Sequence, residues 1–327
     1  MAVPRDRPGD PSYAAKRKVG YAPMNLILHH YDQSPFSEKI RLVFGVKKLA
    51  WMSVIVPMVL PKPMLMPLTG GFRRTPVLQI GADIYCDTLR IAMELDRRFP
   101  APAVMDHASD GLSNILGTWA ERVLMWPTAR YVTGMNRHAL SEAFFGDRSA
   151  MRGHATPSMD DVDASLPHQR RQLALMLDWI ETALADGRDY LIADNPMLGE
   201  LAVYQRLWWL RALDGKAADL LVPNPSINAW MDRIAKLGHG ERSEMTPEAA
   251  LDAARGAEPK PLPAPIADTD FAPGTEVTVV TEDFGLDPVT GTVVRATERE
   301  ISIARSDPRL GAINVHFPRL GYQVTLA

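Results

Sequence analysis

The order in which hydrophobic periodicity changes along the chain restricts its fold more than any other feature. Residues 24–31 (MNLILHHY) form a short apolar run suited to a buried strand. Ser34-Pro35 then opens SPFSEKIRLVFGVKKL, in which Ile40, Val43 and Phe44 share a helical face and serine before proline marks a helix start. WMSVIV (51–56) reads as a second strand, and 57–67 (PMVLPKPMLMP) is too rich in proline for a helix. TPVLQIG (75–81) and DIYCD (83–87) read as two strands about a glycine-centred turn, and TLRIAMELDRRF (88–99) returns to helical spacing. This β-α-β, loop, β-β-α order predicts an α/β unit over 24–104.

From 105 to 255 the pattern turns helical. GLSNILGTWAERVLMW, LPHQRRQLALMLDWIETALADG, PMLGELAVYQRLWWLRAL and PSINAWMDRIAKLG carry apolar residues three and four apart and end near Gly or Pro, which predicts an all-α domain. Residues 256–267 (GAEPKPLPAPIA) read as an extended proline-rich linker. Beyond it EVTVVTE, TGTVVRAT, EISIARS, AINVHFP and YQVTL alternate between turn residues, the spacing of a small all-β barrel of SH3-like type over 268–327. Residues 1–23 are polar, Pro/Gly-rich and carry a net charge of +3. They read as a flexible tail rather than a nucleic-acid or membrane arm, with Met24 an alternative start.

Composition removes several function classes. A length of 327 residues fits two or three domains, and 46% hydrophobic with 23% charged residues excludes wholesale disorder. Against 39 acidic residues there are 36 basic ones, far from the excess that a phosphate backbone demands, so no nucleic-acid partner is expected. No apolar run reaches the ~18 residues of a membrane span, and no signal-peptide core precedes residue 24, so neither a membrane nor a secreted setting is expected. The single cysteine, Cys86, forms no internal disulfide and points to a reducing compartment, the cytoplasm. The 27 prolines and 16 methionines gather partly in the tail, in 57–67 and in the linker.

Four motifs in sequence resemble the cytosolic glutathione transferase superfamily, which joins a thioredoxin-like domain to a helical one. QSPFSEKIRLV (33–43) is similar to the active-site turn and first helix, and RRTPVLQIG (73–81) to the segment holding the family's cis-proline, here Pro76. YCDTLRIAMELDRRF (85–99) is similar to the acidic-plus-hydroxyl pair that starts the next helix, here Asp87-Thr88. NPSINAWMDRI (224–234) resembles a late element of the helical domain. The chain departs from the family at 57–67, where many members have a short helix, and at Met197, where a Ser/Thr cap is usual although Glu200 keeps the acidic place. The β region at 268–327 is a third departure.

The resemblance implies an enzyme that adds the glutathione thiolate to an apolar or aromatic electrophile, with glutathione as co-substrate, no metal and a homodimeric state. A thiol of pKa about 8.5 is only a few per cent ionised at neutral pH, and lowering that by about two units takes roughly 2.7 kcal/mol. A hydroxyl bond to the anion supplies about 1.5–3 kcal/mol and a helix N-terminus about 0.3–1. Ser34, by spacing an ordinary N-cap, is by resemblance the thiolate's partner, with Ser37, Tyr31 or no side chain as alternatives. A serine there, unlike a cysteine, forms no mixed disulfide, which favours transfer or isomerisation over thiol exchange.

Thr75, by spacing an ordinary residue before a trans proline, is by resemblance the backbone partner of glutathione beside a cis Pro76. Asp87 and Thr88, at a helix start, suit the γ-glutamyl end, and Asp87 also reads as an N-cap. Arg73 and Arg74 are either solvated or meet the glycyl carboxylate. Trp119, Arg122, Trp126 and Arg130 lie on one helix; the two tryptophans, seven apart, read as core or as the wall of a second-substrate pocket with Met58, Met64 and Met66. Cys86 reads as a small buried hydrophobe, and His29 and His30 point to opposite faces of a strand, which hinders joint metal binding. The terminal region, net −4 and poor in aromatics, reads as a packing or dimer element. Two other functions stay open: a glutathione-dependent isomerase and a non-catalytic binding protein of the same fold.

Overall fold

A computed structural model describes residues 25–105, 110–212, 215–262 and 270–327. The expected tail at 1–23, the alternative start at Met24 and residues 263–267 of the expected linker lie outside the described residues.

The first unit follows its periodicity. Strands β1 (Ile27–His30) and β2 (Ala50–Ile55) flank helix α1 (Pro35–Val46); β3 (Val77–Ile80) and β4 (Asp83–Cys86) precede α3 (Thr88–Arg98). One correction concerns 57–67, expected to be free of helix: a single turn, α2 (Met66–Thr69), closes it, with Pro67 inside its first turn, where no amide donor is needed. β1 pairs in parallel with β2 and antiparallel with β3, and β3 pairs antiparallel with β4. Alternation along these strands divides two cores. Leu26, Leu28, Leu78, Ile80 and Tyr85 join the core shared with α1, α3 and the helical domain, while Ile27, Val77, Ile84 and Cys86 join a second core on the other face.

The helical domain contains α4 (Asp110–Trp119), a π-helical segment Ala120–Leu124, α5 (Met125–Met135), α6 (Glu142–Ala150), α7 (Met159–Leu184), α8 (Leu198–Arg211) and α9 (Pro225–Ala235). Met197 caps α8 without a side-chain bond, and Glu200 in its first turn is drawn inward. Glu200 Oε1 accepts from Leu191 N at 2.7 Å and from Trp230 Nε1 at 2.6 Å, while Oε2 has no hydrogen-bond partner among the described residues. Burial raises this carboxyl from 4.5 to about 7. The folded protein thus holds a proton that the unfolded chain releases between pH 4.5 and 7, so this group's contribution to stability is lost as pH rises through that window. Glu200→Gln keeps an oxygen for both donors and removes the titration. From pH 4.5 to 7 the unfolding free energy of the variant is expected to gain on the native protein by up to about 3 kcal/mol in urea titrations. An unchanged difference would mean that Glu200 is ionised at neutral pH.

The expected all-helical run to residue 255 is corrected at its end. Residues Glu241–Glu244 form strand β5, paired in parallel with β2, and α10 (Pro247–Arg255) packs Ala250, Leu251 and Ala254 into the second core. The four residues of β5 are all exposed and polar, so nothing in their hydrophobicity marked them. Gly240 permits the approach: its φ is 70°, and a Cβ there would lie 2.3 Å from Leu49 O.

Strands β6 (Glu276–Thr281), β7 (Val289–Ala296), β8 (Glu300–Asp307), β9 (Gly311–Pro318) and β10 (Tyr322–Leu326) match the five expected segments, in the order β10-β6-β7-β8-β9 with antiparallel neighbours. They are not set apart from the first unit. β9 pairs in parallel with β4 (Ile84↔Val315), giving one ten-stranded sheet, β10-β6-β7-β8-β9-β4-β3-β1-β2-β5. β4 would otherwise be an open edge, and β9 covers it. The seam is also polar: His316 stacks on Tyr85 at 4.4 Å, meets Asp83 Oδ1 at 3.1 Å and Ser302 Oγ at 2.7 Å, and Arg90 pairs with Glu300 at 2.8 Å.

Candidate active site

A cavity of about 1050 Å³ lies where the sheet unit, the helical domain and the terminal strands meet. A smaller hollow of about 460 Å³ at 186–194 holds the Arg188–Asp186 pair and no residue of the sheet. Tyr31, Gln33, Pro35 and Phe36 enter the larger cavity from the start of α1, and Thr75, Pro76, Asp87 and Thr88 from the starts of β3 and α3. The Thr75–Pro76 bond is cis. Arg73 and Arg74 also reach it, as do Met58, Arg122, Trp126 and Arg130.

Asp87 caps α3, its Oδ1 accepting from Leu89 N at 2.9 Å. Its other oxygen accepts from the Tyr322 hydroxyl of β10 at 3.0 Å, and burial raises its carboxyl above the usual range. Arg73 pairs with Asp147 and Arg74 with Asp283. The Arg74 guanidinium lies 3.8 Å from the centroid of the Phe284 ring, which itself sits 6.4 Å from Phe36 and 6.0 Å from Trp126. The terminal strand region therefore supplies part of the cavity wall through Asp283, Phe284 and Tyr322, beyond the packing role its composition implied.

Several expected site residues stand elsewhere. Ser34 is the N-cap of α1, buried, with its hydroxyl accepting from Ser37 N at 3.2 Å; Gln33 and Pro35 beside it line the cavity and it does not. Trp119 packs against the helical core and Trp179, at 6.4 Å, and is corrected out of the pocket wall that holds Trp126. The π segment between them advances more slowly per residue than an α-helix, so seven residues no longer return to one face. Met64 and Met66 are likewise outside the wall. Cys86 is buried, and burial raises its thiol well above the ordinary value, as for an inert structural cysteine. His29 meets Gln79 at 2.8 Å on one face and His30 meets Ser53 at 3.1 Å on the other; burial lowers them to about 4 and about 3. Among the described residues no group of three metal-ligating side chains forms.

Sequence reading missed Arg206, Glu121, Phe284 and Tyr322 as lining residues. Arg206 alone carried a signal, a charge inside LAVYQRLWWL, where apolar residues occupy every helical face. Among the described residues no helix is long and apolar enough to cross a membrane.

The glutathione S-transferase N-terminal domain family matches residues 28–103, and the glutathione S-transferase C-terminal domain family matches residues 163–233. The crystal structure of a GST-like protein from Pseudomonas syringae is similar at 33% identity over 93% of this chain and all of that one, with a TM-score of 0.75. A glutathione S-transferase from Methylobacterium radiotolerans, solved with glutathione sulfonate, aligns at 17% identity over 68% of this chain and 97% of its own, with a TM-score of 0.48. FzlA from C. crescentus aligns at 21% identity over 63% of this chain and 86% of its own, with a TM-score of 0.47. No curated protein matches the chain. With the thioredoxin-like unit, the helical domain and the strand-rich end all spanned by the likeness to the P. syringae protein, the chain belongs to the glutathione S-transferase superfamily.

Proposed function

We propose that this protein is a glutathione transferase that adds the glutathione thiolate to an apolar or aromatic electrophile. One observation carries the reading: Thr75, Pro76, Asp87 and Thr88, drawn from two separate stretches, line a single cavity with the start of α1. Glutathione would lie along that wall, its cysteinyl backbone at Thr75 and its γ-glutamyl end at Asp87 and Thr88, with the sulfur near the N-terminus of α1, whose dipole favours an anion. The Ser34 hydroxyl accepts at the cap, so its own proton is free to be donated; Tyr31, which lines the cavity, is the competing donor. The match of residues 28–103 to the glutathione S-transferase N-terminal domain supports the choice of co-substrate.

A homodimer in the cytoplasm belongs to the same reading. It is supported by exposed Leu112 and Ile115 on α4 and Leu175 and Trp179 on α7, an apolar set that a partner copy would cover. A single-chain mass by light scattering would end that part.

A second reading, a binding protein without catalysis, is favoured by the bonds Tyr322 and Asp283 already make to Asp87 and Arg74. Calorimetry with glutathione and conjugation of 1-chloro-2,4-dinitrobenzene, in the native protein and in Ser34→Ala, separate the two. Binding and conjugation are expected, with Ser34→Ala slower by about 10- to 100-fold from one lost hydroxyl bond to an anion. Absence of glutathione binding would sink the transferase reading, and full activity in Ser34→Ala would remove only the serine's part.

A further inference from the structure

Arg206, in the middle of α8, has no solvent-accessible surface and forms part of the cavity wall beneath Phe36. Its Nε, Nη1 and Nη2 atoms all lack a hydrogen-bond partner among the described residues. The Phe36 ring lies beside the guanidinium, its centroid 4.2 Å from the guanidinium carbon. The acid that acts on it, Glu121, already pairs with Lys39 and accepts from Gln205 Nε2 at 3.4 Å. Lys39, Arg206 and Glu121 together leave one positive charge uncompensated. Burial lowers Arg206 only to about 10, so it stays charged at neutral pH.

An unpaired buried guanidinium is costly, and a chain of ordinary stability carries one only where something answers it. No cavity acid is left for that purpose: Asp87 is held by Tyr322, Asp283 by Arg74, and Asp161 by the Ser158 cap of α7. Trp209 Nε1, one turn along α8 and also on the wall, is a second buried donor without a partner among the described residues. Above them stand the aromatic rings of Phe36, Trp126 and Phe284.

We infer that the cavity takes a ligand in which a carboxylate is carried on a flat apolar frame: the carboxylate meets the unpartnered N–H donors of Arg206 and the Trp209 N–H, and the frame lies among Phe36, Trp126 and Phe284. The guanidinium fork suits the two oxygens of a carboxylate. Calling this ligand the second substrate rests on the transferase reading; the subsite itself does not.

The test uses trans-cinnamate and its uncharged amide, cinnamamide, titrated by calorimetry into the full chain without glutathione. Cinnamate is expected to bind about tenfold or more tightly than the amide, the usual weight of one charged hydrogen-bonded pair. Arg206→Met, similar in length and free of the buried charge, is expected to abolish that preference while holding the native urea midpoint or raising it. Arg206→Lys, a point charge without the fork, keeps part of the preference, and Trp209→Phe weakens cinnamate a few-fold. Should Arg206→Met not fold, the native preference and the lysine variant decide. Equal affinity for acid and amide, no binding of cinnamate, or a preference that persists without Arg206 would each overturn the inference. So would Arg206→Met losing glutathione binding while still preferring cinnamate, since the carboxylate at Arg206 would then be glutathione's own. If glutathione fails to bind while the Arg206-dependent preference is present, the subsite stands and the transferase reading falls.

Discussion

Ending the chain at residue 267 is expected to leave a product that does not stay soluble. The cut returns the chain to the two-domain plan of its superfamily, yet it removes the partner of β4 over Asp83, Ile84 and Tyr85. Phe72 loses both of its aromatic neighbours, Phe317 at 5.8 Å and Tyr322 at 6.5 Å. Asp83 loses His316, and Arg90 loses Glu300. Ile84, Cys86 and Val77 share their core with Val277, Ile301, Ile303, Val315 and Phe317, all of which depart. Each large apolar side chain left uncovered forfeits about 1.5–3 kcal/mol, against a total stability of about 5–15 for an ordinary domain. Soluble yield and near-ultraviolet circular dichroism of the shortened chain measure this. A monodisperse product with the native urea transition would show that the terminal strands are an independent unit.

Replacing Asp87 is expected to have the next largest effect, and two substitutions separate its roles. Asp87→Ala removes the cap on Leu89 N, worth about 1 kcal/mol. It also leaves the buried Tyr322 hydroxyl without its acceptor, costing about 1–3 kcal/mol. Position 87 has a φ of 76° with ψ 140°, outside the left-handed helical well, a backbone unfavourable to any residue but glycine, so it does not separate the two substitutions. The variant should therefore unfold at lower urea by about 2–4 kcal/mol in all and lose glutathione binding. Asp87→Asn keeps an acceptor for Leu89 N and places an amide N–H at the other position, where the Tyr322 hydroxyl oxygen can accept in place of donating. Its stability should stay within about 1 kcal/mol of native, while glutathione binds more weakly for want of the charge. If Asp87→Asn binds glutathione as the native protein does, the carboxylate is a structural cap and nothing more.

How much of this was legible varies by element. β1 to β4, α1 and α3 were readable because each carries its own signal, as in the serine and proline ahead of α1 or the polar cap Asp87 ahead of α3. The opposed faces of His29 and His30 followed from strand alternation alone. β5 was not readable, since Glu241–Glu244 is polar and exposed throughout, and its backbone pairing with β2 is joined by contacts such as Ser243 Oγ to Trp51 O at 3.2 Å, which no hydrophobic pattern records. Trp119 and Trp126 seemed to share a face because spacing assumes an unbroken α-helix, and the π turn between them leaves no mark in residue type. Of the cavity, the Thr75-Pro76 and Asp87-Thr88 walls were legible as motifs, but Phe284 and Tyr322 were two aromatics in a distant strand region.

The succession of periodicities, strand to helix to strand, was enough by itself to determine β1 to β4, α1 and α3, the helical run after them and the five terminal strands, though not α2 or β5, because side-chain alternation is local in the chain. Which edges meet was decided only in three dimensions. The pairing of β4 with β9 and of β2 with β5 is made by backbone groups that every residue but proline carries, so composition does not record it. That pairing closes the cavity with residues from the far end of the chain. The packing of α8 beneath Phe36 in turn leaves one buried arginine, recognisable in the sequence only as an odd charge, with its donors free to meet an anion.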